Sequence, residues 1–177
     1  MPDFNQVLTP GDYHNGLVNV VVEIPEGSTL KVEWDREHTA FKLDRIEPDI
    51  FAKPVNYGFI PQTLDEDGDE LDALIICEQP LITGIWLEAK ILGVMKFEDD
   101  GEVDDKIIVR VADDRNDGDW LNSIEDLGES WIQQIEHHFI HYKDLKKPGS
   151  TKVIGFYGLD EAKQVIAECI ERYKTNG

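Results

Sequence analysis

Between residues 17 and 111 the apolar side chains come in short bursts that alternate with polar ones: LVNVVVEI (17–24), LKVEW (30–34), AFKLDRI (40–46), ALIIC (73–77), WLEAKILGVMKF (86–97) and KIIVRV (106–111), with KVIGFYG (152–158) later. A period of two sends successive side chains to opposite faces of a pleated strand, so the pattern predicts strands. Turn-rich pieces such as PEGS (25–28), and the loops QPLITG (79–84) and DDGEVDD (99–105), separate them. A small antiparallel barrel is the natural closure for so many short strands.

Two later segments have a different period. Within 123–145 Trp131, Ile135, Phe139 and Tyr142 fall three or four apart, and so do Leu159, Ala162, Ile166, Ile170 and Tyr173. Both predict amphipathic helices packed on the barrel, the second starting from a cap near Asp160, with KKPGS (146–150) as a link. A chain of 177 residues with 41% hydrophobic content can build one real core, so 1–177 reads as a single domain. Cys77 and Cys169 sit inside apolar patterns and read as buried thiols rather than a disulfide. No window reaches the roughly 18 apolar residues of a membrane helix, and MPDFNQVLTPGDYHNG at the start lacks the basic and apolar regions of a signal peptide. The expected setting is the cytoplasm, with no membrane partner.

With 37 acidic against 17 basic residues the formal net charge is −20, which repels the backbone of nucleic acids and suits divalent cations, since hard cations require oxygen ligands. The charge is densest in DEDGDELDAL (65–74), where six of the first eight residues are carboxylates. An EF-hand loop needs glycine at its sixth position and glutamate at its twelfth; counted from Asp65 these are Glu70 and Ile76, so that reading fails. Counting from Asp99 fails as well, with Gly101 and Val103 at ligand positions. Read instead as the exit of a strand, Asp67 and Asp69 flank a turn at Gly68, Leu71 plugs the core and Asp72 swings back to the same side. EDDGEVDDK (98–106) could bring Asp99, Asp104 and Lys106 to that volume from a neighbouring hairpin. Carboxylates packed so closely repel one another unless cations sit between them, although two solvated acidic loops remain an alternative on these grounds alone.

DGDELDA (67–73) resembles the D-x-D-[P/E]-apolar-D signature of the soluble, magnesium-dependent, barrel-fold inorganic pyrophosphatases (family I). The resemblance continues in order through VVVEIP (20–25), LKVEWD (30–35), LDRI (43–46), KPVNYGFIPQT (53–63), GVMK (93–96), DDGEVDDK (99–106) and HYKDLK (141–146). It implies a mainly β chain with α: a five-stranded closed OB-like barrel with two flanking helices. It also implies hydrolysis of pyrophosphate to two orthophosphates by direct attack of a water shared between metal ions, with no covalent phosphoenzyme. The ions would be three to four Mg²⁺ per site with substrate, Mn²⁺ or Zn²⁺ being possible substitutes.

Residue by residue, the resemblance implies that Asp67, Asp72 and Asp104 hold the first metal, with Asp72 facing a second and Asp99 joining Asp104 on a third. Glu33 resembles the contact for a substrate-borne metal and Glu23 an acid behind it. Asp69 would be the general base, with Tyr57 near the nucleophile. Lys31, Arg45, Tyr142 and Lys143 look like a phosphate clamp, with Lys106 between the clamp and the acidic loop. Such chemistry suits these residue types, since aspartates hold hard cations while basic side chains take the phosphate charge. Taken without the resemblance, Lys31 and Glu33 could be an exposed ion pair and the two tyrosines core aromatics. Asp113, Asp114, Asp117 and Asp119 fall outside the motifs and read as a solvated loop.

The chain departs from the family pattern at two places. Glu70 stands where the signature most often has proline, and Lys53 stands where the family usually has tyrosine, adding an ammonium that would strengthen phosphate binding if it faces the site. His137 and His141 share a helix face; at matching positions bacterial members carry subunit contacts, and the short chain resembles the hexameric bacterial type, so a homo-oligomer, with a hexamer favoured, is expected. Two rival classes are a metal buffer without catalysis and a barrel binding single-stranded nucleic acid; the charge argues against the second, and phosphate release separates the first.

Overall fold

The computed structural model describes residues 3–116 and 120–176. Asp117 and Asp119, two of the aspartates expected in a solvated loop, lie outside the described residues. The strands are β1 (Leu17–Ile24), β2 (Leu30–Asp35), β3 (Ala40–Ile46), β4 (Asn56–Phe59), β5 (Asp72–Ile76), β6 (Trp86–Asp99), β7 (Glu102–Val103), β8 (Lys106–Val111) and β9 (Thr151–Tyr157). The α-helices are α1 (Phe4–Val7), α2 (Gly128–His141) and α3 (Leu159–Asn176).

Among the described residues five strands close a barrel in the order β1–β4–β5–β8–β6, with β6 returning to β1. Its pairings are antiparallel except for β5 and β8, which run parallel with Asp72 opposite Lys106. The barrel and its flanking helices follow the expectation, while the membership of the strands differs. β2 and β3 are not barrel staves but a hairpin forming its own two-stranded sheet. Their place is taken by β4, whose NYGF sequence shows no alternation because all four residues are buried. Gly58 lies where β4 crosses β1: a Cβ there would stand 2.0 Å from the Val21 carbonyl oxygen, so a side chain would force the staves apart. β7 folds back on the end of β6 where a simple loop was expected, and β9 extends β6 at the same end.

The helical periods fall where the sequence placed them. The expected 123–145 segment opens as a 3₁₀ turn, Ile124–Leu127, held by a reciprocal Ser123–Asp126 cap, and becomes α2 after Gly128. Ile135 and Phe139 of α2 pack with Leu74, Met95 and Ile108 of the barrel, and Ala162, Ile166 and Ile170 of α3 pack with Val20, Ala73 and Val109. Each such buried side chain contributes about 1.5–3 kcal/mol relative to exposure. A third cluster, Phe4, Val21, Trp34 and Phe59, seats the β2–β3 hairpin and α1 against the barrel. The hairpin, the entry to β5 and the start of β8 thereby surround one mouth of the barrel.

Candidate active site

All the residues given a catalytic, metal or phosphate role from the sequence line one cleft at that mouth, while His137 and His141 do not. The barrel side contributes Glu23 from β1, Tyr57 from β4, Asp67, Asp69 and Asp72 from the approach to β5, Asp99 from the end of β6, and Asp104 and Lys106 from the start of β8. Lys31 and Glu33 of β2 and Arg45 of β3 form the facing wall. Tyr142 and Lys143 enter from the C-terminal end of α2, and Lys53 from the segment ahead of β4.

The acidic loop runs into a strand rather than out of one, which corrects the expected direction without altering its turn. Gly68 takes a φ of +94°, a conformation glycine adopts without strain, and the Asp69 N–H donates to Asp67 Oδ1 at 3.1 Å. Arg36 braces the loop from outside, donating to the Gly68 carbonyl at 2.7 Å. Leu71 is fully buried and Asp72 opens β5 on the cleft side, so the strand alternation delivers the plug and the carboxylate as read from the sequence.

Charges in the cleft are paired, between distant segments at Lys106 and Lys143 and with near neighbours at Lys31 and Arg45. The Lys106 ammonium, only 2% exposed, bonds Asp72 at 2.6 Å and also Asp104, and these two carboxylates hold it protonated well above the usual lysine range despite burial. Tyr57 donates its hydroxyl to Asp72, and burial together with that negative charge raises its pKa, so it stays a phenol. Lys143 pairs with Asp99, whose Oδ2 also accepts from the Tyr142 hydroxyl at 3.1 Å. Lys31 pairs with Glu33, and Arg45 reaches Glu47 and Asp44. Glu23 accepts from the Trp34 N–H at 2.7 Å, while burial first and Asp72 second raise its pKa well above the carboxylate range.

Lys53 points into the cleft. Its ammonium lies 4.5 Å from the centre of the Tyr57 ring, 5.5 Å from Tyr142 and 5.7 Å from Phe139, and burial followed by repulsion from Lys106 pushes its pKa down to about 8. Among the described residues it has no carboxylate within ion-pair distance, unlike Lys31, Arg45, Lys106 and Lys143. Phe139, read from the sequence only as core, is thus also a wall of the site. On the far side of that ring cluster, burial and the nearby Lys53 push His138 down to about 4. The His137 and His141 rings stand 4.5 Å apart, and His141 Nδ1 meets Asp144 at 2.7 Å.

Three carboxylates of the acidic run, Asp65, Glu66 and Glu70, were given no role from the sequence, and Glu66 meets Arg172 of α3 at 3.5 Å. Glu70 accepts from Asn5 Nδ2 at 2.6 Å and lies 3.4 Å from Arg36 Nε, which ties the loop to α1. Asp65 is buried behind the loop, and that burial raises its pKa to about 7. Glu70 still lines the cleft, and only tertiary contacts, absent from a linear pattern, tether it to α1 and put Asp65 behind the loop.

Among the described residues no three carboxylate, histidine or cysteine side chains stand together as a ready cage for an ion; Lys106 and Lys143 engage the oxygens such an ion would take. The donor set nevertheless suits a hard divalent cation. Asp99 Oδ1 is buried without a hydrogen-bond partner among the described residues, and Asp67 and Asp104 are raised mainly by burial and further by neighbouring carboxylates, a strain that positive charge relieves.

A small closed barrel whose mouth sets carboxylates against lysines, an arginine and tyrosines has the make-up of a phosphate-handling barrel protein. The inorganic pyrophosphatase family model matches residues 20–174. Inorganic pyrophosphatases of Neisseria meningitidis serogroup B and Haemophilus influenzae are 64% and 65% identical to the chain over 173 residues, with 98% of each chain covered. The crystal structure of an inorganic pyrophosphatase from Neisseria gonorrhoeae superposes with a TM-score of 0.96 at 64% identity, covering 97% of this chain and 99% of that one. The Thermus thermophilus inorganic pyrophosphatase gives 0.86 at 40% identity, with 94% and 97% covered. The chain belongs to the inorganic pyrophosphatase family.

Proposed function

We infer that this protein hydrolyses inorganic pyrophosphate to two orthophosphates, the reaction named by relatives that match nearly its whole length. The observation that carries the reading is the cleft itself, where the family's carboxylates and the clamp residues converge from separate elements. Asp67, Asp72, Asp99 and Asp104 would hold magnesium, three to four ions with substrate present, with Glu33 and Glu23 in support and Mn²⁺ or Zn²⁺ as possible substitutes. When bound, such cations supply acidification of a water and neutralisation of phosphoryl charge.

The chain's own residues do the rest. Asp69, which lines the cleft with its side chain 81% exposed and, among the described residues, has no ion-pair partner beyond Arg36 at 3.6 Å, is placed to accept the proton of the attacking water. Tyr57, kept as a phenol, donates a hydrogen bond where charge gathers. Lys31 and Arg45 on one wall, with Tyr142 and Lys143 on the other, grip the two phosphoryl ends, and Lys53 adds a charge with no carboxylate at ion-pair distance among the described residues. Lys106 keeps Asp72 and Asp104 together until cations arrive.

The chain further reads as one domain over 1–177 that works in the cytoplasm; among the described residues no helix is long and apolar enough to cross a membrane. A homo-oligomer, most simply a hexamer using the His137–His141 face, accords with exposed apolar side chains such as Ile50 and Ile82, 74% and 72% accessible. Sedimentation tests that state. For the activity, a colorimetric phosphate assay with pyrophosphate and Mg²⁺ should show turnover that EDTA abolishes and Ca²⁺ inhibits, since calcium's longer, looser coordination misplaces the nucleophile. Metal binding without phosphate release would leave a buffer, and turnover in EDTA would end the metal-assisted reading.

A further inference from the structure

Asp65 is 5% exposed and faces away from the cleft, yet it is a carboxylate in a place where an unsatisfied one would be costly. Its oxygens are taken up by three different parts of the chain. Oδ1 accepts from the Glu66 N–H at 2.8 Å and from the Cys169 thiol at 3.8 Å, and it lies 3.5 Å from Arg172 Nη1; both partners belong to α3. Oδ2 accepts from the backbone N–H of Asp105 at 3.2 Å. Asp105 stands between Asp104 and Lys106, so this bond joins the backs of the two acidic segments whose fronts form the cleft.

The ties on either side are equally direct. The Asp65 N–H donates to the Asp69 carbonyl at 2.7 Å, which closes the loop carrying Asp67 and Asp69. Arg172 Nη1 also donates to the Leu64 carbonyl at 2.6 Å. The Asp105 carboxylate accepts from the Phe97 N–H at 3.1 Å and meets Lys96 at 3.1 Å, and Lys96 reaches Glu161 of α3 at 3.2 Å. Both acidic segments are therefore anchored on the same helix and bonded to each other through Asp65.

We propose that Asp65 is a positioning residue which, with Arg172, holds the loop carrying Asp67 and Asp69 at a set spacing from Asp104, so that the cleft presents its carboxylates together. This rests on the pyrophosphatase reading above, because the spacing matters only if those groups share cations. Residues that orient a ligand set in this way commonly govern metal affinity by about 10- to 100-fold.

The test compares wild type, Asp65→Ala and Asp65→Asn in three measurements: amide hydrogen exchange at Asp105 in metal-free protein, Mg²⁺ affinity by titration calorimetry without substrate, and kcat at saturating Mg²⁺. Asp65→Ala should speed exchange at Asp105 while Val109 stays protected, and weaken Mg²⁺ about tenfold or more, with a smaller loss in kcat once metal is saturating. Asp65→Asn retains an oxygen acceptor and should recover part of the affinity. If Asp65→Ala does not fold, Arg172→Met carries the same expectations from the α3 side. Variants with wild-type Mg²⁺ affinity overturn the proposal, whatever their stability. A wild-type protein that neither binds Mg²⁺ nor releases phosphate would instead overturn the pyrophosphatase reading, so the two failures are distinct.

Discussion

The two walls of the cleft are built differently. On the barrel wall Lys106 is 2% exposed and locked between Asp72 and Asp104, whereas on the hairpin wall Arg45 is 38% exposed and pairs with near neighbours in sequence. The barrel wall is assembled from strands distant in sequence and pinned by their register; the hairpin wall belongs to a separate two-stranded sheet seated on a small aromatic cluster. The barrel wall holds its carboxylates at spacings fixed by strand register, whereas the hairpin wall presents Lys31 and Arg45 on partly exposed side chains that can adjust.

The largest expected effects lie on the barrel wall. Asp69→Asn should lower kcat by about 10²–10⁴-fold while keeping most Mg²⁺ affinity, and Asp72→Asn should weaken Mg²⁺ binding itself. Calorimetry showing equal losses of metal binding in both variants would erase the distinction between base and ligand. On the hairpin wall, Lys31→Ala should act mainly on KM, raising it about tenfold with a smaller change in kcat, because it removes one charged contact to substrate. A loss confined to kcat would mean that the walls do not divide the work.

Lys53 sits between the two walls and sharpens the contrast. Lys53→Tyr should weaken inhibition by phosphate severalfold and increase the Mg²⁺ needed for half-maximal turnover, with hydrolysis retained, since it removes an ammonium that lacks an ion-pair partner among the described residues. Unchanged phosphate inhibition would show that this charge does not reach the anion. An effect on stability rather than on activity concerns His138, whose folded pKa of about 4 lies below the ordinary histidine value. Between about pH 6.5 and pH 4 the unfolded chain takes up a proton that the folded one refuses, so stability falls with falling pH by up to about 1.4 kcal/mol per unit. Urea midpoints of wild type and His138→Gln should therefore diverge in slope across that window; parallel curves would mean that His138 titrates normally.

Much of the fold was legible because buried strands write themselves as short runs rich in β-branched residues, as in β1 and β8, and amphipathic helices as three-or-four spacing, as in α2 and α3. β4 escaped because it is only four residues long and Gly58 leaves no side chain to count. The grouping of β2 with β3 outside the barrel depends on long-range pairing that period alone does not encode. Asp67, Asp69 and Asp72 were recognisable through their motif and Glu70 as a departure from it, while the tethering of Asp65 and Glu70 stayed hidden until their partners on α3 and α1 were known. For Lys53 the sequence disclosed the unusual residue and the structure its direction.

The parallel pairing of β5 with β8 has a consequence for folding kinetics. It sets Asp72 opposite Lys106 across more than thirty residues of intervening chain, so the register that closes the barrel also creates the central ion pair of the cleft. A slip of one residue would turn Lys106 toward the apolar side and Asp72 away from its partner. Such non-local closure comes late in folding because its entropy must be met before its contacts form. Enzymatic competence on refolding should thus appear in a single phase with barrel closure, trailing the helical signal, and no half-folded species should carry a fraction of the activity.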